Sequence, residues 1–242
     1  MIPRVLEPEL MDTCEEALAY DTMDHAEVNC TFVSDLLDAE RRRTGLRPAP
    51  SDSGEPPYRR AADDWIEVLD LGTGTAQQPI ELCRQWDAVR VVAIDAAENM
   101  LDVARNNIEI ALLTERIMLD RVDAKQLPYD DGRFPVVMSN SIVHHIPEPI
   151  DVFREAVRVT AAGGLLFFRD LLRPESAELL AHLVMTYAGE ATDHQQQLFA
   201  DSLHAALSLE EVRGLVEGVG FPPESVQATS DRHWTWSANR PG

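Results

Sequence analysis

Two histidines stand side by side, His144 and His145, in the run "SNSIVHHI" that follows an apolar, β-branched stretch. Imidazole is the side chain best matched to taking a proton from a hydroxyl or amine near neutral pH. His145 is the first candidate for such a base and His144 the second. Asp170 in "FFRDLLRP" and Tyr187 in "TYAGEATDH" are alternative proton acceptors. Packing or helix capping is the competing use of each histidine. No metal centre is expected, because adjacent histidines lack the one-turn spacing that brings two imidazoles to one ion, and the three cysteines form no C-x-x-C pair. An acceptor pocket could draw on Tyr20 and His25 before these residues and on Arg169, Gln197, Arg232 and Trp234 after them. Arg232, Trp234 and Trp236 alternate at strand period and share one face, which serves a core as readily as an aromatic cage.

A second constellation binds rather than reacts. In "VLDLGTGTA", Gly72 and Gly74 lie where a strand must turn sharply and admit a ligand close to the backbone. A dinucleotide fingerprint would carry a third glycine three residues after Gly74, where this chain has Gln77. No Gly-Lys-Ser/Thr follows either, so the turn suits an adenosine ligand without phosphate. Asp95 closes the next strand and is placed to accept hydrogen bonds from ribose hydroxyls. Asp123 closes the third, where a carboxylate can meet an adenine amino group.

The elements that position these residues follow from hydrophobic periodicity. Strands are expected at 66–71, 90–94, 117–122, 136–140 and 165–169, with helices at 79–84, 100–112 and 150–160 between them. Such alternation gives a doubly wound, mostly parallel sheet covered on both faces. A more helical stretch spans 175–207. Ser208 and Glu211 then form a capping box, and late strands are expected near Val226 and at 233–237. In an open sheet of this kind, ligands lie where strand order reverses, which sets "DLGTG" against "SNSIVHH".

The combination "VLDLGTGTA", "VVAIDAAENML", "VDAKQLPYDDGRF", "SNSIVHHI" and "AAGGLLFFRDLLRP" resembles the class I S-adenosylmethionine-dependent methyltransferases. The resemblance implies a seven-stranded Rossmann-like sheet whose last strand is antiparallel. It implies S-adenosyl-L-methionine as cofactor, with S-adenosyl-L-homocysteine as product, and a small molecule as methyl acceptor. By that resemblance Asp70, Gly72, Thr73 and Gly74 wrap the amino acid and ribose, Asp95 holds ribose and Met100 packs on adenine. Asp123 and Ala124 meet the adenine edge, and Asn140 the methionine part. One departure is Phe134-Pro135, where many relatives read Phe-Asp; proline is tolerated at a strand's start. The rival readings are a nicotinamide-dependent oxidoreductase, disfavoured by Gln77 and the lack of a Tyr-x-x-x-Lys pair, and a cofactor-binding protein without turnover.

The net charge of −21 repels phosphate backbones, so nucleic acid is not an expected partner. No apolar run approaches the roughly 20 residues of a membrane helix, and the first residues lack the pattern of a secretory signal. A cytoplasmic monomer or homodimer is expected. Residues 1–64 divide off as a helical flap followed by a Pro/Ser/Gly-rich loop from Arg41, and 65–242 form the S-adenosylmethionine-binding domain. Removing the flap through residue 40 is expected to leave a folded, inactive core.

Overall fold

A computed structural model describes residues 1–9, 12–23, 26–45 and 65–242. The β-branched runs become five parallel strands: β1 (Ile66–Leu71), β2 (Val89–Asp95), β3 (Ile117–Arg121), β4 (Phe134–Asn140) and β5 (Thr160–Leu171). Two later strands, β6 (Val226–Ala228) and β7 (His233–Asn239), complete the sheet in the order β3-β2-β1-β4-β5-β7-β6. β7 is antiparallel to both its neighbours, as the resemblance implied. Strand order reverses between β1 and β4, and the crevice that holds the candidate site opens there.

Side-chain alternation along the strands builds a core on each face. Leu69 and Leu71 of β1 point to one face, packed under α5 (Ile150–Val159) and α8 (Leu209–Gly218) through Phe153, Val212 and Val216. Ile66 and Val68 point to the other, where α2 (Ala26–Thr44), α3 (Gln77–Gln85) and α4 (Glu98–Ile110) supply Phe32, Leu36, Leu82 and Ile108. α2 belongs to the core: Phe32, Val33 and Leu36 are fully buried, and Phe32 meets Phe167 of β5 edge-on at 5.3 Å. It also runs past Glu40 to Thr44, beyond the expected start of the loop. Arg41 and Arg43 reach back one turn to Asp38 and Glu40, each at 2.6 Å, and extend the helix. The rest of that loop, 46–64, lies outside the described residues.

A shorter helix, α1 (Cys14–Asp21), opens on a capping box between Thr13 and Glu16 and packs against α4 through Ala17, Ala97 and Met100. The helical stretch after β5 divides into α6 (Ala177–Ala188) and α7 (Asp193–Ala205), because Thr192 and Gln195 form a second capping box that restarts the helix. Pro135 sits where the β4–β5 register shifts between Phe134 and Val136, an irregularity that removes the need for its missing N–H. No helix among the described residues is long and apolar enough to cross a membrane.

Candidate functional site

The crevice at the carboxyl ends of β1, β2 and β4 is lined by Gly72, Thr73, Gly74, Asp95, Met100, Asp123, Ala124 and Asn140, together with Tyr20 and His145. Gly72 has φ +70, and a Cβ built on it would come within 1.9 Å of Ile142 Cγ2, so the close approach there is to the β4 loop as well as to any ligand. The turn is pinned by its own backbone: Thr73 donates to the Ile94 carbonyl at 2.8 Å, and Gly74 donates to Asp95 Oδ2 at 2.8 Å. Asp95 Oδ1 accepts from the Ala97 N–H at 2.9 Å, which leaves outward lone pairs on both oxygens. Burial raises the Asp95 carboxyl, and the N–H groups of Ala97 and Gly74 oppose that rise.

The lining chemistry fits an uncharged adenosyl group. Among the described residues that line the crevice there is no lysine or arginine to meet a phosphate. Met100, Val122 and Ala124 offer an apolar wall, and Asp123 and Glu9 offer carboxylates at its rim. Asn140 Oδ1 is buried with no hydrogen-bond partner among the described residues, an acceptor waiting for a donor.

His144 and His145 occupy a single 3₁₀ turn, with ring centroids 4.2 Å apart. They diverge in function, because only His145 lines the crevice. His144 is turned inward, with Nδ1 2.5 Å from Asp170 Oδ1; the other Asp170 oxygen accepts from the Val143 N–H at 2.6 Å. Burial acts to lower the His144 pKa, but Asp170 and Glu7 outweigh it and hold it above the ordinary value. Burial alone would raise Asp170, and His144 keeps it below the usual carboxylate range. His145 behaves oppositely: burial and the neighbouring His144 push it down to about 3, away from the near-neutral value expected of a histidine base.

The segment before α1 reaches the crevice through Glu9, within the stretch expected as a flap, but no local pattern marked its residues Arg4 and Glu7. Arg4 donates to the carbonyls of Ala205, Pro147, His144 and Ile146 at 2.7–3.1 Å. Glu7 Oε1 lies 3.4 Å from His144 Nε2 and 3.2 Å from His145 Nδ1. Glu9 pairs with Lys125 at the crevice rim. On the far side, Asn29 of α2 donates to Gln77 and accepts from Gln78 at 2.9 and 2.6 Å, and Gln77 also reaches Asp21. The residue that breaks the dinucleotide fingerprint thus latches α1 and α2 to the turn. Tyr20 faces Gly74, and burial, with Asp95 adding to it, pushes its phenol up to about 12.

Other sequence candidates fall elsewhere. Asp70 is 1% exposed within β1 and does not line the crevice; burial pushes it up to about 7, with Thr73 opposing and Asp95 adding. Arg169 is buried against Asp35 and Thr235, 2.6 and 2.9 Å away, an ion pair under α2. Tyr187 is exposed, donates to Asp231 at 2.6 Å and carries Arg232 over its ring. Gln197 is exposed and donates to Asp201, one turn on. Trp234 is fully buried in the α5–α8 core, so the tryptophan stripe is packing, because the sheet face it shares is the covered one. His25 lies outside the described residues.

A family model described as a methyltransferase domain matches residues 69–168, from β1 to β5. The chain is 31% identical to a 27-O-demethylrifamycin SV methyltransferase of Amycolatopsis mediterranei, over 75% of this chain and 63% of that one. It is 26% identical to a demethylmenaquinone methyltransferase of Bacteroides fragilis, over 49% of this chain and 51% of that one. The chain therefore spans less than two thirds of the length of either relative. Among solved structures, one described as a putative S-adenosyl-L-methionine-dependent methyltransferase from Methanococcus maripaludis has the same fold, with TM-score 0.65 and 17% identity, over 100% of this chain and 98% of that one.

Proposed function

Because the chain belongs to the class I S-adenosylmethionine-dependent methyltransferases, we propose that it methylates a small-molecule acceptor in the crevice between β1 and β4. The observation that carries this reading is the crevice lining: a pinned carboxylate at Asp95, an apolar wall and, among the described residues, no lysine or arginine for a phosphate. When bound, S-adenosylmethionine supplies an electrophilic methyl group on a sulfonium. In this reading Asp95 receives the ribose hydroxyls, Met100, Asp123 and Ala124 hold adenine, and Thr73, Gly74 and Asn140 meet the amino acid end. Asp70 acts from within β1 by shaping the turn.

The enzyme's own task is alignment in a space from which water is shut out. Tyr20 and the segment carrying Glu7 and Glu9 cover the crevice, and His145 presents its ring where an acceptor hydroxyl would lie. The small-molecule class is supported by the two curated relatives, whose names specify a rifamycin precursor and a quinone precursor. The same reading takes the protein as cytoplasmic, a monomer or homodimer, with the segment before α1 and α1 itself as a cover and α2 built into the core of the cofactor domain; a net charge of −21 disfavours nucleic acid as a partner.

The test is transfer of labelled methyl from S-adenosylmethionine to a panel of hydroxylated macrocycles, quinols and small amines. Labelled product with any of them supports the reading. Tight binding of the cofactor with no transfer to any acceptor, including a metabolite extract, leaves a binding protein and overturns it.

A further inference from the structure

We propose that Glu7, His144 and His145 form a binding site for one first-row transition dication of the Zn²⁺ class. The three candidate ligand atoms, one from each residue, lie within 4.8 Å of one another. Glu7 Oε1 is 3.4 Å from His144 Nε2 and 3.2 Å from His145 Nδ1. Ligands about 2.0–2.2 Å from a common ion stand about 3.0–3.6 Å apart, so both spacings already match coordination.

The hydrogen bonding of the cluster points the same way. Glu7 Oε1 and His145 Nδ1 are both buried without a hydrogen-bond partner among the described residues, although they face each other. His144 gives its Nδ1 to Asp170, which in the neutral tautomer leaves the lone pair of Nε2 aimed at Glu7. Two imidazole lone pairs and a carboxylate oxygen converging at this distance repel one another unless a proton or a metal cation stands between them, and one proton serves only one such contact. A dication satisfies all three at once.

The surroundings are those of a supported metal site. Asp170 orients His144 through the ring nitrogen that does not face the ion, and Ser202 donates to the second oxygen of Glu7 at 3.3 Å. Two nitrogens and one oxygen suit Zn²⁺ and its neighbours better than Mg²⁺ or Ca²⁺, which prefer oxygen alone. The expectation of no metal failed to include Glu7, and it took helical spacing as the only way for two histidines to converge. In the 3₁₀ turn the rings lie tilted at 34° with centroids 4.2 Å apart, and Nε2 of one and Nδ1 of the other both face the amino-terminal segment. The ion would clamp that segment over the crevice, since Glu9, two residues on, reaches the crevice rim.

The site shares His145 with the crevice, but its test reads metal binding and not methyl transfer. The full chain is stripped with chelator, dialysed, and titrated with Zn²⁺ by calorimetry at pH 7.5, with metal content read by elemental analysis after gel filtration. One Zn²⁺ per chain with micromolar or tighter affinity is expected. Co²⁺ loading should give a visible d–d spectrum of a nitrogen-ligated low-coordinate ion. Glu7→Gln and His144→Gln should each weaken Zn²⁺ binding at least about a hundredfold while circular dichroism shows an intact fold, and Ser202→Ala should weaken it by about tenfold. Zn²⁺ should also slow hydrogen exchange across residues 1–9. Sub-stoichiometric uptake, or uptake that Glu7→Gln and His144→Gln leave unchanged, overturns the site. Binding of S-adenosylmethionine, measured on the same stripped samples, reports separately on the cofactor crevice.

Discussion

Asp95 Oδ2 accepts the Gly74 N–H at 2.8 Å, so the carboxylate that ends β2 is the anchor of the turn that ends β1. One side chain thus fixes the crevice floor and offers the remaining lone pairs to a ligand. Asp95→Ala should weaken S-adenosylmethionine and S-adenosylhomocysteine binding by about 1–3 kcal/mol, the scale for losing hydrogen bonds to a charged group. Calorimetry with both ligands and with NAD checks this. Tight NAD binding with no heat from S-adenosylhomocysteine would contradict the assignment.

His145 lines the crevice, whereas His144 is held inward by Asp170. In His145→Gln, kcat should fall by about a hundredfold with little change in cofactor affinity, as for a group that positions the acceptor rather than the cofactor. Steady-state kinetics paired with cofactor titration separates the two effects. An unchanged kcat would place catalysis in alignment by the remaining walls.

Asp70 carries a pH signature in stability. Its carboxyl, ordinarily near 3.8, is pushed up to about 7 in the folded chain by burial. The folded state therefore holds the proton more tightly than the unfolded one, and stability declines as pH rises from about 4 to about 7, then levels off. A shift of this size corresponds to about 4 kcal/mol at most. Asp70→Asn removes the titration, so it should melt higher than the parent at pH 8 and at about the same temperature at pH 4. Melting curves that run parallel across this range would rule out a raised Asp70.

Phe32 tests whether the amino-terminal helices are a cover or part of the core. It is fully buried against Phe167 in the cluster shared with β1, β2 and β4. Phe32→Ala should cost about 3–5 kcal/mol, and removal of α2 should unfold the chain rather than open it. Urea unfolding of the variant measures the first, and circular dichroism of a chain lacking residues 1–40 the second. A stable, cooperatively folded truncation would restore the view of a detachable flap.

The sheet and the cofactor turn were legible because they are local. Hydrophobic period, the Gly72–Gly74 turn and the acidic strand ends all act within a few residues of themselves. Arg4 and Glu7 were not legible, because their partners at Ala205, His144 and His145 are far away in the chain and no local pattern encodes such a pairing. Trp234 shows a different limit. Strand period assigns it a face, but only the arrival of Phe153, Val212 and Phe221 from α5, α8 and the turn after α8 decides that the face is covered. Gln77 was read only for the glycine it replaces, and its contacts to Asn29 and Asp21 required the helices to be in place.

The packing of α2 on β5 bears on synthesis of the protein. The Asp35–Arg169 ion pair joins residues 134 positions apart, and Phe32 likewise waits for Phe167. On the ribosome, α2 emerges early with Phe32, Val33 and Leu36 exposed, and its partner strand follows only after four other strands have left the exit tunnel. During that interval the apolar stripe is open to chaperones and to other nascent chains. Translation that stalls before β5 should therefore yield aggregating fragments, and a holding chaperone should be most needed while residues 45–160 are being made.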